Sequence, residues 1–426
     1  MSEPSPSATS RPGYTAPGGR ALIADALGLI LAIVGWIYTF AKVASGMERP
    51  SDFSAYYLAG RAYQLGLDYY QRDTIESLGA AAGLRGDFGP YLYPPLFAAA
   101  VSPLAALDYA SARWLWAAVC LFCLLVALAL TQRAAGVALP PGWRGPVLGL
   151  VAFFPPVADD ALKGQVTCVL LLLLAGAWLA QQRGQSWLSG ALVAVAVAVK
   201  LAPALLLVHF ALRRDYRALA AGALAALALV GASLVIAGPN QNVTYVTQQI
   251  PYIGLQVGAS QNVSLPGALT RLWAVQGSHL GGQSALNIAL CAGWLVMGAL
   301  LLGAAWGERR RPSAAGLGYG FTVAVMLLAT PSSQTYTLVL ALLPIAAVAA
   351  RWRGSRRFNR AVVDLALVAT MLLSVPPNLP LSAGPMGATA SVVLILLVSS
   401  LPTLGLLLLC AVAGALLVRG DAVTVA

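Results

Sequence analysis

Residues 21–43 read ALIADALGLILAIVGWIYTFAKV, and this stretch decides the fold class. With only Asp25 and Lys42 charged, it is long enough for the roughly 20 residues that a helix needs to cross a bilayer. It is too long for the ~7–15-residue core of a secretory leader, even though Ala41-Lys42-Val43-Ala44 faintly resembles a cleavage site. It reads as an uncleaved first span, preceded by a Ser-, Pro- and Gly-rich tail over residues 1–20 whose composition predicts disorder. Such runs recur along the chain, which is 59% hydrophobic and 10% charged. A soluble globule carries roughly 25% charged residues, so the 426 residues form a polytopic membrane domain over 21–426 with no sizeable soluble domain.

The net charge of +11 does not mark a nucleic-acid binder. Arg213-Arg214 with Arg217, Arg309-Arg310-Arg311 and the cluster from Arg351 to Arg360 are short and separated by apolar runs, the pattern of cytoplasmic loop anchors. Strict alternation then predicts twelve spans, at about 21–43, 91–107, 112–132, 146–159, 164–182, 187–212, 217–237, 286–306, 314–330, 336–350, 361–376 and 388–418. Both termini face the cytoplasm, and the polar loops 44–90, 238–285, 331–335 and 377–386 face outward. The scheme is strained over 133–186, where Arg133, Arg144 and Arg183 fall outside and Lys163 inside. A re-entrant pair between 91 and 212 would relieve it, with Pro94-Pro95, Pro155-Pro156 and Pro203 as the natural breaks.

Cys120, Cys123, Cys168, Cys291 and Cys410 all lie in apolar sequence, which predicts core thiols and no disulfides. His209 and His279 are the only histidines, so a histidine metal cluster is excluded.

Chemistry concentrates after the first span, in Pro50-Ser51-Asp52-Phe53-Ser54-Ala55-Tyr56-Tyr57. Apolar residues recur there at helical spacing, which predicts an amphipathic helix along the membrane surface. Asp52 fits two roles: a cap for that helix, or a general base at the bilayer edge. Lys200 follows a long apolar run, where a lysine costs about 2.5–3.5 kcal/mol on insertion scales; it snorkels or meets a phosphate. Lys163, close to Asp159-Asp160, is expected to neutralise them. Tyr56, Tyr57, Tyr69, Tyr70, Tyr91 and Tyr93 fit sugar stacking and an interfacial aromatic belt equally well.

Asp52 with Tyr56, then Leu65-Gly66-Leu67-Asp68-Tyr69-Tyr70, Tyr93-Pro94-Pro95-Leu96-Phe97, Pro103-Leu104 and Ala112-x-x-Leu115-Trp116, in this order, resemble glycosyltransferase family 87. Gly164-Gln165, the stretch from Gly190 to Lys200-Leu201-Ala202-Pro203, and Gln261-Asn262-Val263-Ser264 extend the resemblance, which covers about residues 21–350. It implies an all-α, GT-C type fold with outward-facing catalytic loops in the bacterial cytoplasmic membrane. The implied activity is inverting transfer of a sugar, mannose first, from a polyprenyl phosphate to a glycolipid or polysaccharide of the cell envelope. It also implies that Asp52 is the catalytic base. The leaving group is a phosphate monoester and no Asp-x-Asp stands near Asp52, so no metal or other cofactor is expected.

Lys200 and Arg271 are the expected contacts of the donor phosphate. Tyr56, Tyr93, Gln165, Gln261, Asn262, Ser264 and Tyr336 are the expected contacts of sugar or acceptor. The chain departs from the family at Thr330-Pro331-Ser332-Ser333-Gln334-Thr335-Tyr336, where the histidine or aspartate of relatives is missing, and this bears on substrate identity. A transporter of lipid-linked saccharides, with Lys200 and Asp159-Asp160 as pathway charges, and an inactive member of the same fold are the competing readings.

Overall fold

A computed structural model of the chain describes residues 18–259, 261–275, 283–310, 315–354, 360–375 and 388–419. Most of the predicted tail and the expected loop 377–386 lie outside the described residues. Helices follow in the order α1 (Gly19–Ser45), α2 (Asp52–Gln64), α3 (Arg72–Ala81), α4 (Pro95–Val101), α5 (Tyr109–Ala134), α6 (Arg144–Ala152), α7 (Pro155–Lys163), α8 (Thr167–Gln182), α9 (Ser186–Val199), α10 (Leu205–Leu212) and α11 (Tyr216–Ile236). They continue as α12 (Pro239–Thr244), α13 (Ile250–Leu255), α14 (Leu265–Val275), α15 (Gln283–Arg310), α16 (Ala315–Ala329), α17 (Leu342–Gly354), α18 (Arg360–Leu373) and α19 (Ala388–Arg419). Among the described residues every regular element is helical, apart from an isolated antiparallel bridge between Asn262 and Gln334.

The chain divides into two compact units, residues 1–38 with 138–153, and residues 39–137 with 154–426. In the smaller unit, Asp25 of α1 accepts from the backbone N–H groups of Gly142 and Gly145, both at 2.9 Å. These belong to the turn that opens α6, where backbone donors have no partner within the helix. A carboxylate in an apolar run is thereby explained, and Gly28 lets the two backbones touch.

The larger unit is a bundle in which α5 packs on α8, α8 on α9, and α9 on α11. Gly190 meets the backbone of Ala218 and Gly222, a small-residue contact of the kind that brings membrane helices together. Trp178 stacks on Tyr319 with centroids 5.9 Å apart.

Twelve uninterrupted spans are not what the structure contains. Among the described residues, four helical stretches are long and apolar enough to cross a membrane by themselves: α1, α5, α11 and residues 398–417 of α19. The expected span 91–107 is instead a loop, the seven-residue α4 and a 3-10 turn over Ser102–Ala106. Both of its ends contact α2: the Tyr93 hydroxyl accepts from Tyr56, and Leu107 accepts from the Tyr57 hydroxyl at 2.8 Å. Proline explains the shortening, because Pro95 suits the first turn of a helix and Pro103 lacks the donor that would continue it.

The expected span 146–159 is likewise two helices, the second opened by Pro155. The span 187–212 breaks at Lys200, which is extended (φ −152°, ψ 133°) ahead of Pro203. The span 336–350 begins as a 3-10 helix over Thr335–Ala341.

These breaks also overturn the sidedness expected for 133–186. Lys163 and Gln165, assigned by strict alternation to the face opposite Asp52 or to a span, lie beside it or its loops. Ser186 bonds Asp215 at 3.0 Å, which puts the start of α9 next to the arginines of 213–217.

Candidate active site

Asp52 is the first residue of α2, and the cap position belongs to Ser51 (φ −133°, ψ 175°), whose side chain makes no capping bond. The Asp52 carboxylate does not cap the helix either. Its Oδ2 accepts from the Gln165 amide Nε2 at 2.5 Å. Among the described residues its Oδ1 makes no hydrogen bond, and it sits at the amino end of α2, where the helix dipole favours negative charge. The helix expected along the membrane surface is covered by protein on most of its residues. Phe53, Ser54, Tyr56, Tyr57, Leu58, Ala59, Gly60 and Ala62 are buried, because α2 packs on α3, α4 and the 102–106 turn.

Gln165 is held by the way α7 ends. Gly164 takes the left-handed conformation (φ 66°), and Gln165 N–H returns to the Asp160 carbonyl at 2.9 Å. A side chain at 164 would put its Cβ 2.7 Å from the Phe53 Cβ and 2.8 Å from the Arg113 Cζ, so glycine is required twice over. From α5, Arg113 donates to the carbonyls of Ala161 and Leu162 (2.6 and 3.0 Å), and Trp116 donates to that of Gly164 at 2.8 Å. A cation on the open carbonyls of a helix end satisfies both the hydrogen bonds and the dipole.

The Gln165 amide is 2% exposed and is also bound at its other end. Its Oε1 lies 2.8 Å from the Tyr93 hydroxyl and 2.9 Å from the Tyr56 hydroxyl, and Tyr56 donates to Tyr93 at 2.6 Å. Tyr56 is fully buried, and burial raises its phenol well above the ordinary value. Tyr56 and Tyr93, expected to meet sugar, therefore face inward. They meet edge-on with centroids 4.8 Å apart, and Phe97 and Trp116 complete the contacts of Tyr56.

Tyr69 and Tyr91 are buried beside them, and Tyr70 donates to the Tyr93 carbonyl at 2.7 Å while stacking on Tyr245. The tyrosine-rich loop packs as a small aromatic core, each ring pair contributing about 0.5–1.5 kcal/mol.

In front of Asp52 opens a cleft of about 430 Å³, whose walls carry Lys42, Arg49, Arg113 and Lys163 against the carboxylates of Asp52 and Asp159. Lys163 makes the expected ion pair with Asp159 at 3.2 Å and donates to Gln261 Oε1 at 2.7 Å. Two ammonium groups approach the Tyr336 ring, Lys163 Nζ at 5.0 Å and Lys200 Nζ at 5.1 Å from its centre, both in cation–π range. Lys200 is also 6.0 Å from the Tyr93 ring. Asp52, Tyr56, Tyr93, Gln165, Lys200, Gln261 and Tyr336 are thus linked through successive contacts, although Lys200 does not line the cleft.

The remaining expected contacts do other work. Asn262 is fully buried and all four of its side-chain bonds go to backbone: Nδ2 to the carbonyls of Val257 (2.8 Å) and Pro331 (2.7 Å), Oδ1 from the N–H of Ser264 (3.0 Å) and Ser333 (3.1 Å). Ser264, equally buried, accepts from Gly267 N–H at 3.1 Å. Arg271 donates to the carbonyls of Ala259, Asn262 and Ser399, and burial pulls its guanidinium down to about 10. These three residues are buried and tie the 257–264 segment to its neighbours, so burial and not exposure to a sugar or a phosphate describes them.

Lys42, Arg49 and Arg113 carried no functional expectation from the sequence, and Gly164 stood out only as part of the family resemblance. The signal for Arg113 was present, since an arginine at the head of an apolar run is as conspicuous as Lys200.

The profile of glycosyltransferase family 87 matches residues 91–331, which hold Tyr93, Gln165 and Lys200 but not Asp52, Tyr56 or Tyr336. A polyprenol-phosphate-mannose-dependent alpha-(1-2)-phosphatidylinositol pentamannoside mannosyltransferase of Mycobacterium tuberculosis is 31% identical over 215 residues, 50% of this chain and 48% of that protein. A polyprenol-phosphate-mannose-dependent alpha-(1-2)-phosphatidylinositol mannoside mannosyltransferase of Mycolicibacterium smegmatis is 27% identical over 258 residues, 57% of each chain. An alpha-(1->3)-arabinofuranosyltransferase of Corynebacterium glutamicum is 25% identical over 262 residues, 60% of this chain and 59% of its own. The chain thus spans about half the length of the curated relatives it matches. Because the profile covers more than half of this all-helical, apolar chain, through the segments that build the Gln165 turn and the aromatic core, the protein belongs to glycosyltransferase family 87.

Proposed function

We propose that the protein is an inverting membrane glycosyltransferase that moves a sugar, mannose in the first instance, from a polyprenyl phosphate to a cell-envelope glycolipid. The observation that carries this reading is the Asp52 carboxylate, fixed at one oxygen and open at the other, in a cleft walled by four cationic side chains. Asp52 takes the proton of the acceptor hydroxyl as that oxygen bonds the anomeric carbon. The bond from that carbon to the phosphate oxygen breaks on the opposite face, and polyprenyl phosphate leaves with the electron pair. A positioned base of this kind contributes typically 10²–10⁴-fold.

Lys42, Arg49, Arg113 and Lys163 take the place given from sequence to Lys200 and Arg271, and stabilise the charge that grows on the phosphate. With that charge met by side chains, the reaction needs no metal. Tyr336, approached by Lys163 and Lys200, is the element of this site that lies in the segment departing from the family, and it bears on which sugar is accepted.

The sidedness we propose puts the cleft at the outer face of the cytoplasmic membrane. It is supported by Arg183, which precedes the Ser186–Asp215 contact and so keeps company with the arginines of 213–217.

The test uses purified protein in liposomes with polyprenyl-phosphate [3H]mannose and phosphatidylinositol mannosides. Label is expected in the glycolipid, with inverted anomeric configuration, and none from GDP-mannose. Liposomes that leave the polyprenyl donor intact, or that transfer directly from the nucleotide sugar, would overturn the reading.

A further inference from the structure

Gln165 was expected to touch sugar, yet both ends of its amide are already engaged inside the protein. Its Nε2 donates to Asp52 Oδ2 at 2.5 Å, and two phenols converge on its Oε1 at 2.8 and 2.9 Å. An amide is ambiguous about which end is nitrogen until its neighbours are known. Here the neighbours settle it: a carboxylate only accepts, and the phenols share their protons among themselves and Oε1.

From this geometry we propose that Gln165 is a positioning residue, oriented by Tyr56 and Tyr93, which holds one oxygen of Asp52 and turns the other to the cleft for the acceptor proton. This inference rests on the reading of Asp52 as the base and adds to it a mechanism for aiming that base. The charged groups near Asp52 are the cations Lys42, Arg49, Arg113, Lys163 and Lys200 and the carboxylates Asp159 and Asp160, the last buried and bonded by the Cys168 thiol. Among the described residues the Gln165 amide, a neutral group, is the donor that fixes the direction of Oδ2. Tyr56, Tyr93 and Tyr336 are buried neutral phenols around it.

The arrangement makes two demands that a sugar contact does not. First, replacing the amide by a carboxyl (Gln165→Glu) keeps the acceptor for both phenols but places two carboxyl groups at hydrogen-bonding distance, where one proton is shared. The acidic limb of the kcat/KM pH profile moves up by about one unit or more, and kcat at neutral pH falls about tenfold, while the acceptor KM changes little. Second, either phenol alone still orients the amide. Tyr56→Phe and Tyr93→Phe each lower kcat by about two- to fivefold, whereas the double variant loses several times more than their product, because the amide is then free to turn its oxygen toward Asp52.

The experiment measures kcat, KM and pH profiles for full-length protein in liposomes, with polyprenyl-phosphate [3H]mannose and a phosphatidylinositol mannoside acceptor. Asp52→Asn is carried alongside, and the melting temperature of each variant is recorded. A Gln165→Glu enzyme with an unmoved pH profile and a raised acceptor KM returns Gln165 to the sugar site and overturns the proposal. So does a double phenol variant whose loss equals the product of the singles. If Asp52→Asn is itself fully active, the base assignment fails first, and the two failures are told apart in one data set. Should Gln165→Glu not fold, Gln165→Asn, which keeps the amide but draws it back by one methylene, must lower kcat with KM unchanged for the proposal to stand.

Discussion

Replacing Asn262 by alanine distinguishes a structural pin from a sugar ligand. The side chain is fully buried and joins four backbone groups from two segments, 257–264 and 331–333. Truncation orphans the carbonyls of Val257 and Pro331 and the N–H groups of Ser264 and Ser333. Each such bond is worth about 1 kcal/mol net, and a buried group left without a partner costs about 1–3 kcal/mol. Four together therefore destabilise by about 4 kcal/mol once partial relaxation and entry of water are allowed. Against the 5–15 kcal/mol that holds a typical protein folded, this is a large fraction.

The measurement is equilibrium unfolding in mixed detergent micelles, followed by tryptophan fluorescence, alongside kcat and KM of whatever folds. The expected result is a much less stable protein whose folded fraction keeps its acceptor KM. A stable Asn262→Ala enzyme with an acceptor KM raised tenfold would refute the reasoning and put Asn262 back in the substrate site.

Two further substitutions probe the supports of the site. Gly164→Ala forces a left-handed residue with a side chain into the space of Phe53 and Arg113, at about 1–3 kcal/mol of strain before any displacement. Its activity is expected to fall with the position of Gln165, and a fully active, equally stable variant would contradict the close approach. Arg271→Lys replaces a fork bonded to three carbonyls by a single ammonium. A loss of about 1–3 kcal/mol of stability with the donor KM unchanged is expected. A raised donor KM at full stability would instead make Arg271 a phosphate ligand.

The membrane class, the helix that starts at Asp52 and the Lys163–Asp159 pair were legible in the sequence because each depends on neighbours a few residues away. The span expected at 91–107 failed for a physical reason. Apolar composition states that a segment avoids water and leaves open whether lipid or protein covers it; here Pro94, Pro95 and Pro103 break the chain into short turns that protein covers. The prolines were visible as breaks, but their effect on sidedness required the contacts of Tyr93 and Leu107 with α2. Gln165 was singled out as a polar residue at the head of an apolar run. Its task was hidden, because its partners Asp52, Tyr56 and Tyr93 lie between 72 and 113 residues away. Asn262 and Arg271 misled in the opposite way: polar residues on a loop suggest a ligand, and only burial reveals that backbone is what they bind.

Asp52 carries the proposed chemistry. Its most direct test compares wild type and Asp52→Asn at matched abundance in liposomes, under single-turnover conditions with enzyme in excess over polyprenyl-phosphate [3H]mannose and saturating phosphatidylinositol mannoside. The substitution keeps the side chain's size and leaves an amide oxygen for Gln165, but removes the base. Sugar transfer is expected to slow by about 10²–10⁴-fold, with donor binding retained. Transfer within twofold of wild type by a folded Asp52→Asn protein would contradict the base assignment.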